Sequence, residues 1–335
     1  MKTLPDNRTS SISTGSRPAY GQPGLTARDA ARVAAAVEAE IAASTRIVYA
    51  SAWRKWEEWC GVRGITAMPC HPDALAAYLA ERAEEGLTYA SIDVACCAVS
   101  YRHRQHGLTD PTTDPTLRRV RRGLRRIIGV APRRQAHPLD VTELTQIVDT
   151  ISANTPHGLR DRAIILLGYA SAVRPGELAA LQLADIVARP AGLLITIRRS
   201  KTDQEGIGQM IGVVRGAKVT TDPVAAVGRW PDLRPRGSGP LFTRIHNDGA
   251  ATLTPIGART VSRMIQAHAR AAGLGHLPIT GHSLRAGHAT TAAANGAPIA
   301  RIAAQTRHRD LETLVEHYIR PTDALATSTS RELEL

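Results

Sequence analysis

One short stretch that fits neither a helix nor a strand divides this chain into two parts. Residues 129–138 (GVAPRRQAHP) contain two prolines and end an apolar helical period that runs up to residue 128. The chain of 335 residues has room for about two domains with buried cores. We therefore expect a domain at 28–130, a linker at 131–138 and a second domain at 139–320.

The two ends differ in composition from the body of the chain. Residues 1–27 are rich in Ser, Thr, Gly and Pro without an apolar period, which predicts a flexible leader. Residues 321–335 form a short, moderately polar tail, for which the composition predicts a frayed terminus.

The first domain has the pattern of a small helical bundle. Gly or Pro turn signals bound the helical segments 44–61, 73–85, 88–106 and 115–128. In the first of these, Tyr49, Trp53, Trp56 and Cys60 recur at three- and four-residue steps and mark one helix face. We expect this face in the core; the less favoured alternative is an aromatic surface that touches DNA or another subunit.

Positive charge is concentrated at the end of the first domain. The whole chain has 42 Lys and Arg against 30 Asp and Glu, a net charge of +12. The stretch from residue 101 to residue 134 contains only two aspartates but ten arginines, namely Arg102, Arg104, Arg118, Arg119, Arg121, Arg122, Arg125, Arg126, Arg133 and Arg134. Arginine pairs in 115–128 alternate with Leu117, Val120, Leu124 and Ile127, which predicts a basic stripe opposite an apolar one. Such a stripe is often only a solvated face, but here it favours nucleic-acid contact.

Composition excludes several other classes. Aromatic residues make up only 4% of the chain, which argues against a single-strand binder that works by base stacking. Four cysteines, Cys60, Cys70, Cys96 and Cys97, are too few for a disulfide framework and lack zinc-ligand spacing, so we expect reduced, mostly buried thiols and no metal. The longest apolar run, 163–173, is short of the about 20 residues that span a bilayer. A cytoplasmic protein follows.

The second domain is predicted to be mostly helical with a small sheet. Helical patterns cover 140–151, 157–173, 257–272, 282–295, 298–305 and 311–319. Residues 192–200 and 209–214 instead read as two strands of a hairpin.

Several side chains in this domain suit chemistry on a phosphate. Arg174 precedes a helix that begins at a proline, where free N–H groups favour an anion. Lys201 lies where the first strand meets its turn. His282 and Arg285, three residues apart, share a helix face and offer a proton acceptor beside a bidentate fork. His308 and Tyr318 follow near the end of the domain.

In this order the residues resemble the tyrosine site-specific recombinases, the phage-integrase family. The resemblance covers the chain from about residue 30 and rests on the signatures RPGELAALQLADI (174–186), RRSKTDQEGIG (198–208), TGHSLRAGHATTAAANG (280–296) and TRHRDLETLVEHYIRP (306–321). It implies a mainly α fold with a small β-sheet. An N-terminal helical core-binding (SAM-like) bundle and a C-terminal tyrosine-recombinase catalytic domain would clamp DNA between them.

Residue chemistry and resemblance together assign roles. Two guanidiniums, Arg174 and Arg285, match the charge on an attacked phosphodiester, and His282 is the available acceptor for the phenolic proton of Tyr318. The family pattern implies that Tyr318 is the nucleophile, forming a 3′-phosphotyrosine, and that Lys201 protonates the leaving 5′-oxygen.

The pattern also implies that His308 donates a hydrogen bond to the phosphate and that Glu177 orients neighbouring side chains. Since a phosphotyrosine retains the free energy of the phosphodiester, rejoining needs neither ATP nor metal, and no cofactor is expected.

The resemblance also implies partners, and docking of the tail at 321–335 onto a neighbouring subunit as the alternative to fraying. We expect double-stranded DNA with inverted-repeat core sites, a homo-tetramer on two duplexes that is a monomer or dimer when free, and a place at the nucleoid in the cytoplasm. The expected task is integration, excision or resolution of a mobile element, and the target sequence stays open. A DNA-binding regulator with a helix-turn-helix unit and a type IB topoisomerase are the alternatives.

One spacing differs from the family. Many relatives have nine residues from the position of His308 to the tyrosine, whereas here the step is ten and His317 stands at the ninth. Along one helix an extra residue rotates a side chain by about 100°. We expect a loop near 308–311 to absorb it.

Overall fold

The computed structural model describes residues 26–131, 135–198, 208–234, 237–319, 328 and 330. By its internal contacts the chain divides into two compact units, with the division between Arg133 and Arg134. Most of the predicted leader and tail, the predicted DNA contacts Arg133 and Arg134, and Lys201 lie outside the described residues.

The first unit is a helical bundle. Its helices are α1 (Ala27–Glu38), α2 (Ala43–Arg63), α3 (Pro72–Glu84), α4 (Tyr89–Gln105) and α5 (Pro115–Ile128). Side chains at the N-caps fix several of the starts: Thr88 accepts a hydrogen bond from the N–H of Ser91, and Asp114 accepts from those of Thr116 and Leu117. The four predicted bundle helices are confirmed to within two residues at each end. Helix α1 buries no residue.

The aromatic stripe of α2 lies in the core, as predicted, except at Tyr49, which is only half-buried against Tyr101. Trp53, Trp56 and Cys60 are buried, and Trp56 packs edge-on against Tyr78 of α3 at 5.2 Å between ring centroids. Trp59, which the predicted stripe leaves out, is buried as well. Its indole N–H donates to Glu81 (2.9 Å), so the polar atom of this ring is satisfied at the edge of the core.

Helix α5 departs from its predicted pattern at two residues. Arg121 is half-buried and pairs with Asp93 of α4 (2.5 Å), while Ile127 is 81% exposed. Helix geometry explains both, since at about 100° per residue Arg121 lies only about 40° from Leu117 around the axis, and Ile127 about 80° away. Ile128, not Ile127, therefore continues the apolar stripe, and it packs against the core.

The second unit is built around α7. Its helices are α6 (Val141–Asp149), α7 (Pro156–Ser171), α8 (Pro175–Ala180), α9 (Pro223–Arg229), α10 (Ala258–Ala271), α11 (Gly281–Ala294), α12 (Ile299–Thr306) and α13 (Leu311–His317). Helix α7 is buried around most of its circumference because α8, α9, α10, α11 and a strand pack on it. Gly287 of α11 permits one close approach, since a Cβ there would lie 2.1 Å from the carbonyl oxygen of Leu139.

In the described part of this unit there are also two small antiparallel sheets. The strands β1 (Ile186–Arg189), β2 (Gly192–Ile197) and β3 (Gln209–Val214) form one sheet in that order, with Ile195 opposite both Ile186 and Ile211. The strands β4 (Thr243–Ile245) and β5 (Ala251–Pro255) pair separately. The mainly α fold with a small sheet and the antiparallel pairing of β2 with β3 are as predicted. Strands β1, β4 and β5 and helix α9 are additions.

Within the described ranges, no helix is both long and apolar enough to cross a membrane.

Candidate active site

The site begins with a carboxylate shared by two arginines. Arg174 precedes α8, and its Nη1 donates to Oε1 of Glu177 (2.8 Å) while its backbone N–H donates to Oε2 (2.8 Å). Arg307, at the end of α12, donates a short hydrogen bond to the same Oε2. Glu177 and Arg307 are both buried. Because a buried charge needs a partner, this arrangement fixes the guanidinium of Arg174 in place.

Helix α8 is short. It has six residues, and Glu177 from its own first turn accepts from the backbone N–H of Arg174. The guanidiniums supply the full positive charges of the site, and an anion at the start of α8 stays a prediction.

Arg285 forms the centre of the site. It lies on α11 with 0% exposure, and its Nη1 donates to the carbonyl oxygen of Ala172 (2.6 Å). Ala172 ends α7 in the left-handed region (φ 52°), which turns that carbonyl toward Arg285. Burial, reinforced by Arg174, lowers the pKa of Arg285, but a guanidinium remains protonated at neutral pH. Its Nε has no hydrogen-bond partner among the described residues.

His308 is held as a neutral ring. Nη2 of Arg285 contacts its Nε2 (3.1 Å), and since a guanidinium can only donate, Nε2 is the acceptor. The hydroxyl of Thr306 donates to the carbonyl of Ile302 (2.7 Å), which leaves it to accept from Nδ1–H of His308 (2.8 Å). Burial, followed by the charges of Arg285, Arg174 and Arg307, lowers the pKa of His308 to about 3. In this arrangement Nε2 accepts from Arg285, so the predicted donation from His308 to a phosphate stays a prediction.

Tyr318 lies against both of these side chains. Its ring centroid is 4.5 Å from that of His308, and the guanidinium carbon of Arg285 is 5.3 Å from its centroid. The hydroxyl of Thr290 on α11 donates to the carbonyl of Tyr318 (2.8 Å), which fixes the backbone at the end of α13.

The ten-residue step contains a turn, as predicted. Helix α12 ends at Thr306, Arg307 is left-handed, and α13 begins only at Leu311, so the step does not run along a single helix. His317, at the ninth position, is about half exposed beside Glu316.

The remaining predicted site residues are placed less completely. His282 lies in the first turn of α11, one turn before Arg285, and is exposed. Its backbone N–H donates to the cap Thr280 (3.2 Å). The sequence missed Arg307, because an arginine in a polar turn gives no local sign of burial.

Most of the predicted DNA-binding arginines are exposed. On α5 these are Arg118, Arg119, Arg122, Arg125 and Arg126. Arg104 of α4 is exposed too, whereas Arg102 is half-buried with its guanidinium over the Trp53 ring (5.6 Å). Arg121 is taken up by Asp93.

Comparisons with known proteins agree with this fold and site. The Phage integrase family profile matches residues 138–324. An integrase/recombinase xerD homolog of Selenomonas ruminantium is 30% identical over 286 residues, which cover 84% of this chain and 83% of that protein.

Solved structures of lambda integrase are among those that share the fold. One is a lambda integrase dimer bound to a COC′ core site (TM-score 0.62, 18% identity), covering 91% of this chain and 81% of that one. Another is a lambda integrase tetramer bound to a Holliday junction (TM-score 0.58, 17% identity), covering 88% and 78%.

The fold and the sequence similarities together define a DNA cleavage and religation enzyme. The chain belongs to the phage integrase family and is a tyrosine recombinase, whose activity is site-specific DNA recombination. The non-catalytic regulator is therefore excluded, and family membership favours recombination over type IB topoisomerase activity.

Proposed function

We propose that Tyr318 is the nucleophile of this recombinase and that Arg174 and Arg285 bind the scissile phosphate. The observation that carries the proposal is the contact of the Tyr318 ring with His308 and with the buried guanidinium of Arg285. A cation beside the ring stabilises negative charge both on a phenolate and on the phosphate that it attacks.

The proposed reaction is the one that the family pattern implies for these residues. The phenolic oxygen of Tyr318 attacks phosphorus and forms a new P–O bond, the bond to the 5′-oxygen breaks, and a 3′-phosphotyrosine and a free 5′-hydroxyl result. The phenolic proton goes to His282, and Lys201 protonates the leaving oxygen. Attack by the 5′-hydroxyl of a second strand reverses these steps, and the tyrosine is released without ATP.

The supporting side chains have distinct parts. Glu177 holds Arg174, and His308 accepts from Arg285 and so orients it behind the phosphate. For His308 to donate to the phosphate, its Nε2 would have to lose the hydrogen bond from Arg285 and gain a proton.

We propose that the exposed face of α5 binds DNA backbone. The five exposed arginines of that helix, from Arg118 to Arg126, repeat along about 12 Å of axis, since each residue rises about 1.5 Å. Such a row suits successive phosphates and carries no base readout by itself. Arg121 is outside this surface because it pairs with Asp93.

The assembly and the biological task are also proposals. The lambda integrase tetramer bound to a Holliday junction supports a tetramer that holds two DNA duplexes. That each unit of this chain contacts DNA is part of the same proposal. Integration, excision or resolution of a mobile element is the task we propose, carried out on DNA at the nucleoid in the cytoplasm.

Covalent capture tests the proposal. Purified protein is mixed with fragments that flank its own gene and with a random DNA pool, denatured in SDS, and the attached DNA is sequenced. We expect adducts with the wild type and with His317→Gln, and none with Tyr318→Phe, which should still bind DNA. Adducts with Tyr318→Phe, or their loss with His317→Gln alone, would contradict the assignment.

A further inference from the structure

We propose that Arg307 is a positioning residue of the phosphate site, which shares the carboxylate of Glu177 so that Arg174 is fixed without losing its net charge. This inference rests on the proposed function, because it concerns the charge that the site offers to the scissile phosphate. Neither the sequence pattern nor the proposed reaction assigns Arg307 a part.

The hydrogen bonds of Glu177 show how the carboxylate is divided. Its Oε1 accepts only from Nη1 of Arg174, among the described residues, while Oε2 accepts from the backbone N–H of Arg174 and from Nη2 of Arg307. Two guanidiniums therefore share one negative charge. Without Arg307, the whole charge of Glu177 would pair with Arg174.

The backbone conformation at Arg307 indicates that the side chain has a part to play at this position. Its φ of 57° and ψ of 44° lie in the left-handed region, which glycine adopts without strain. Only Ala172 shares this feature among the described residues other than glycine, and its carbonyl holds Arg285. Strain of this kind is typical of functional sites. Since glycine would make the turn more easily, the guanidinium is what this position contributes.

Burial makes the charge of Arg307 count. The residue is 6% exposed, so solvent screens its charge weakly, and its Nε has no hydrogen-bond partner among the described residues. Arg174, Arg285 and Arg307 against Glu177 leave a net charge of about +2 on this cluster, and removal of Arg307 leaves about +1. The attacked phosphate carries extra negative charge, so this difference favours its formation.

Arg307 also borders open space. Together with His308 and residues at the start of β3, it lines a cavity of about 360 Å³. The turn that holds Arg307 is thus open on one side and is not sealed inside the core.

A purely structural part for Arg307, pinning the α12 turn to α8, makes a different prediction. Loss of a structural contact would slow cleavage of every DNA substrate alike. Loss of a charge that serves the phosphate matters less when the phosphate carries none. A methylphosphonate at the scissile position, in which a methyl group replaces one non-bridging oxygen, provides that neutral substrate.

The test measures single-turnover adduct formation on matched phosphodiester and methylphosphonate DNA. The variants are Arg307→Met, Arg307→Lys and Arg307→Gly, with Arg301→Met as the control because Arg301 is an exposed arginine of α12, the helix that precedes Arg307. We expect Arg307→Met to slow the phosphodiester reaction about 10- to 100-fold and the methylphosphonate reaction less than about threefold. Arg307→Lys should recover most of the rate, and Arg301→Met should match the wild type on both.

The possible outcomes distinguish failure of the proposed part of Arg307 from failure of the proposed function. Equal slowing of Arg307→Met on both substrates, or no slowing on either, overturns the inference. If Arg307→Met fails to fold, the same ratio is read from Arg307→Gly, which removes the backbone strain together with the charge. A wild type that forms no adduct through Tyr318 contradicts the proposed function itself, whereas a Tyr318 adduct that is indifferent to Arg307 contradicts only this inference.

Discussion

Acid should lower the free energy of unfolding of the second unit, called the catalytic unit below, and it should do so through His308 before it protonates the carboxylates. Burial and three guanidiniums lower the pKa of this ring from its ordinary 6.5 to about 3. Between these values the unfolded chain binds a proton that the folded protein does not, so the free energy of unfolding falls as the pH falls below about 6.5. At pH 5 the pKa difference corresponds to about 2 kcal/mol, and partial exposure reduces it to between about 1 and 2 kcal/mol.

Hydrogen exchange in α11 can measure this effect within the catalytic unit. In His308→Gln the ionisable ring is gone, so this variant should lose less protection on acidification than the wild type. From pH 7 to pH 5 we expect the ratio of wild-type to variant protection to fall about 5- to 30-fold. His276→Gln, which removes an exposed ring in the same unit, controls for the loss of one imidazole. A ratio that stays within about twofold would refute the argument.

Two further predictions concern DNA binding and packing. Arg122→Ala should lower the slope of log affinity against log salt by about 0.9, because an exposed phosphate contact is lost. Arg121→Ala should leave the slope unchanged, since that arginine pairs with Asp93. Equal slopes for the two variants in a binding titration would contradict the assignment. Gly287→Ala should destabilise the catalytic unit by roughly 1–3 kcal/mol, because the new methyl would lie 2.1 Å from the carbonyl oxygen of Leu139, and a urea midpoint equal to that of the wild type would disprove this close approach.

The helices were predictable because their signals are local. Asp114 followed by Pro115 begins α5, and Thr280 begins α11, each with a side chain that accepts from the first-turn N–H groups. The turn between His308 and Tyr318 was also predictable from the sequence, since the apolar pattern breaks after α12. In both cases a few neighbouring residues determine the outcome.

The features that escaped prediction depend on distant partners. Arg121 is half-buried because it lies near the apolar stripe of α5 and meets Asp93 on another helix. Arg307 is buried because Glu177, 130 positions earlier in the chain, accepts its hydrogen bond. Strand β1 has four residues and gains its pairing from β2, so its own sequence has too few positions to show a strand period. Periodicity alone contains none of these contacts.

The central claim is that Tyr318 forms the covalent bond to the 3′ end of the cleaved strand. Mass spectrometry of the digested SDS-stable adduct locates the attached nucleotide, and a kinase that labels only 5′-hydroxyl ends identifies the other product. The account predicts a nucleotide 3′-phosphate on Tyr318 and a 5′ end that is labelled without prior phosphatase treatment. A nucleotide on any other residue, His317 included, or a 5′-phosphate end would contradict it.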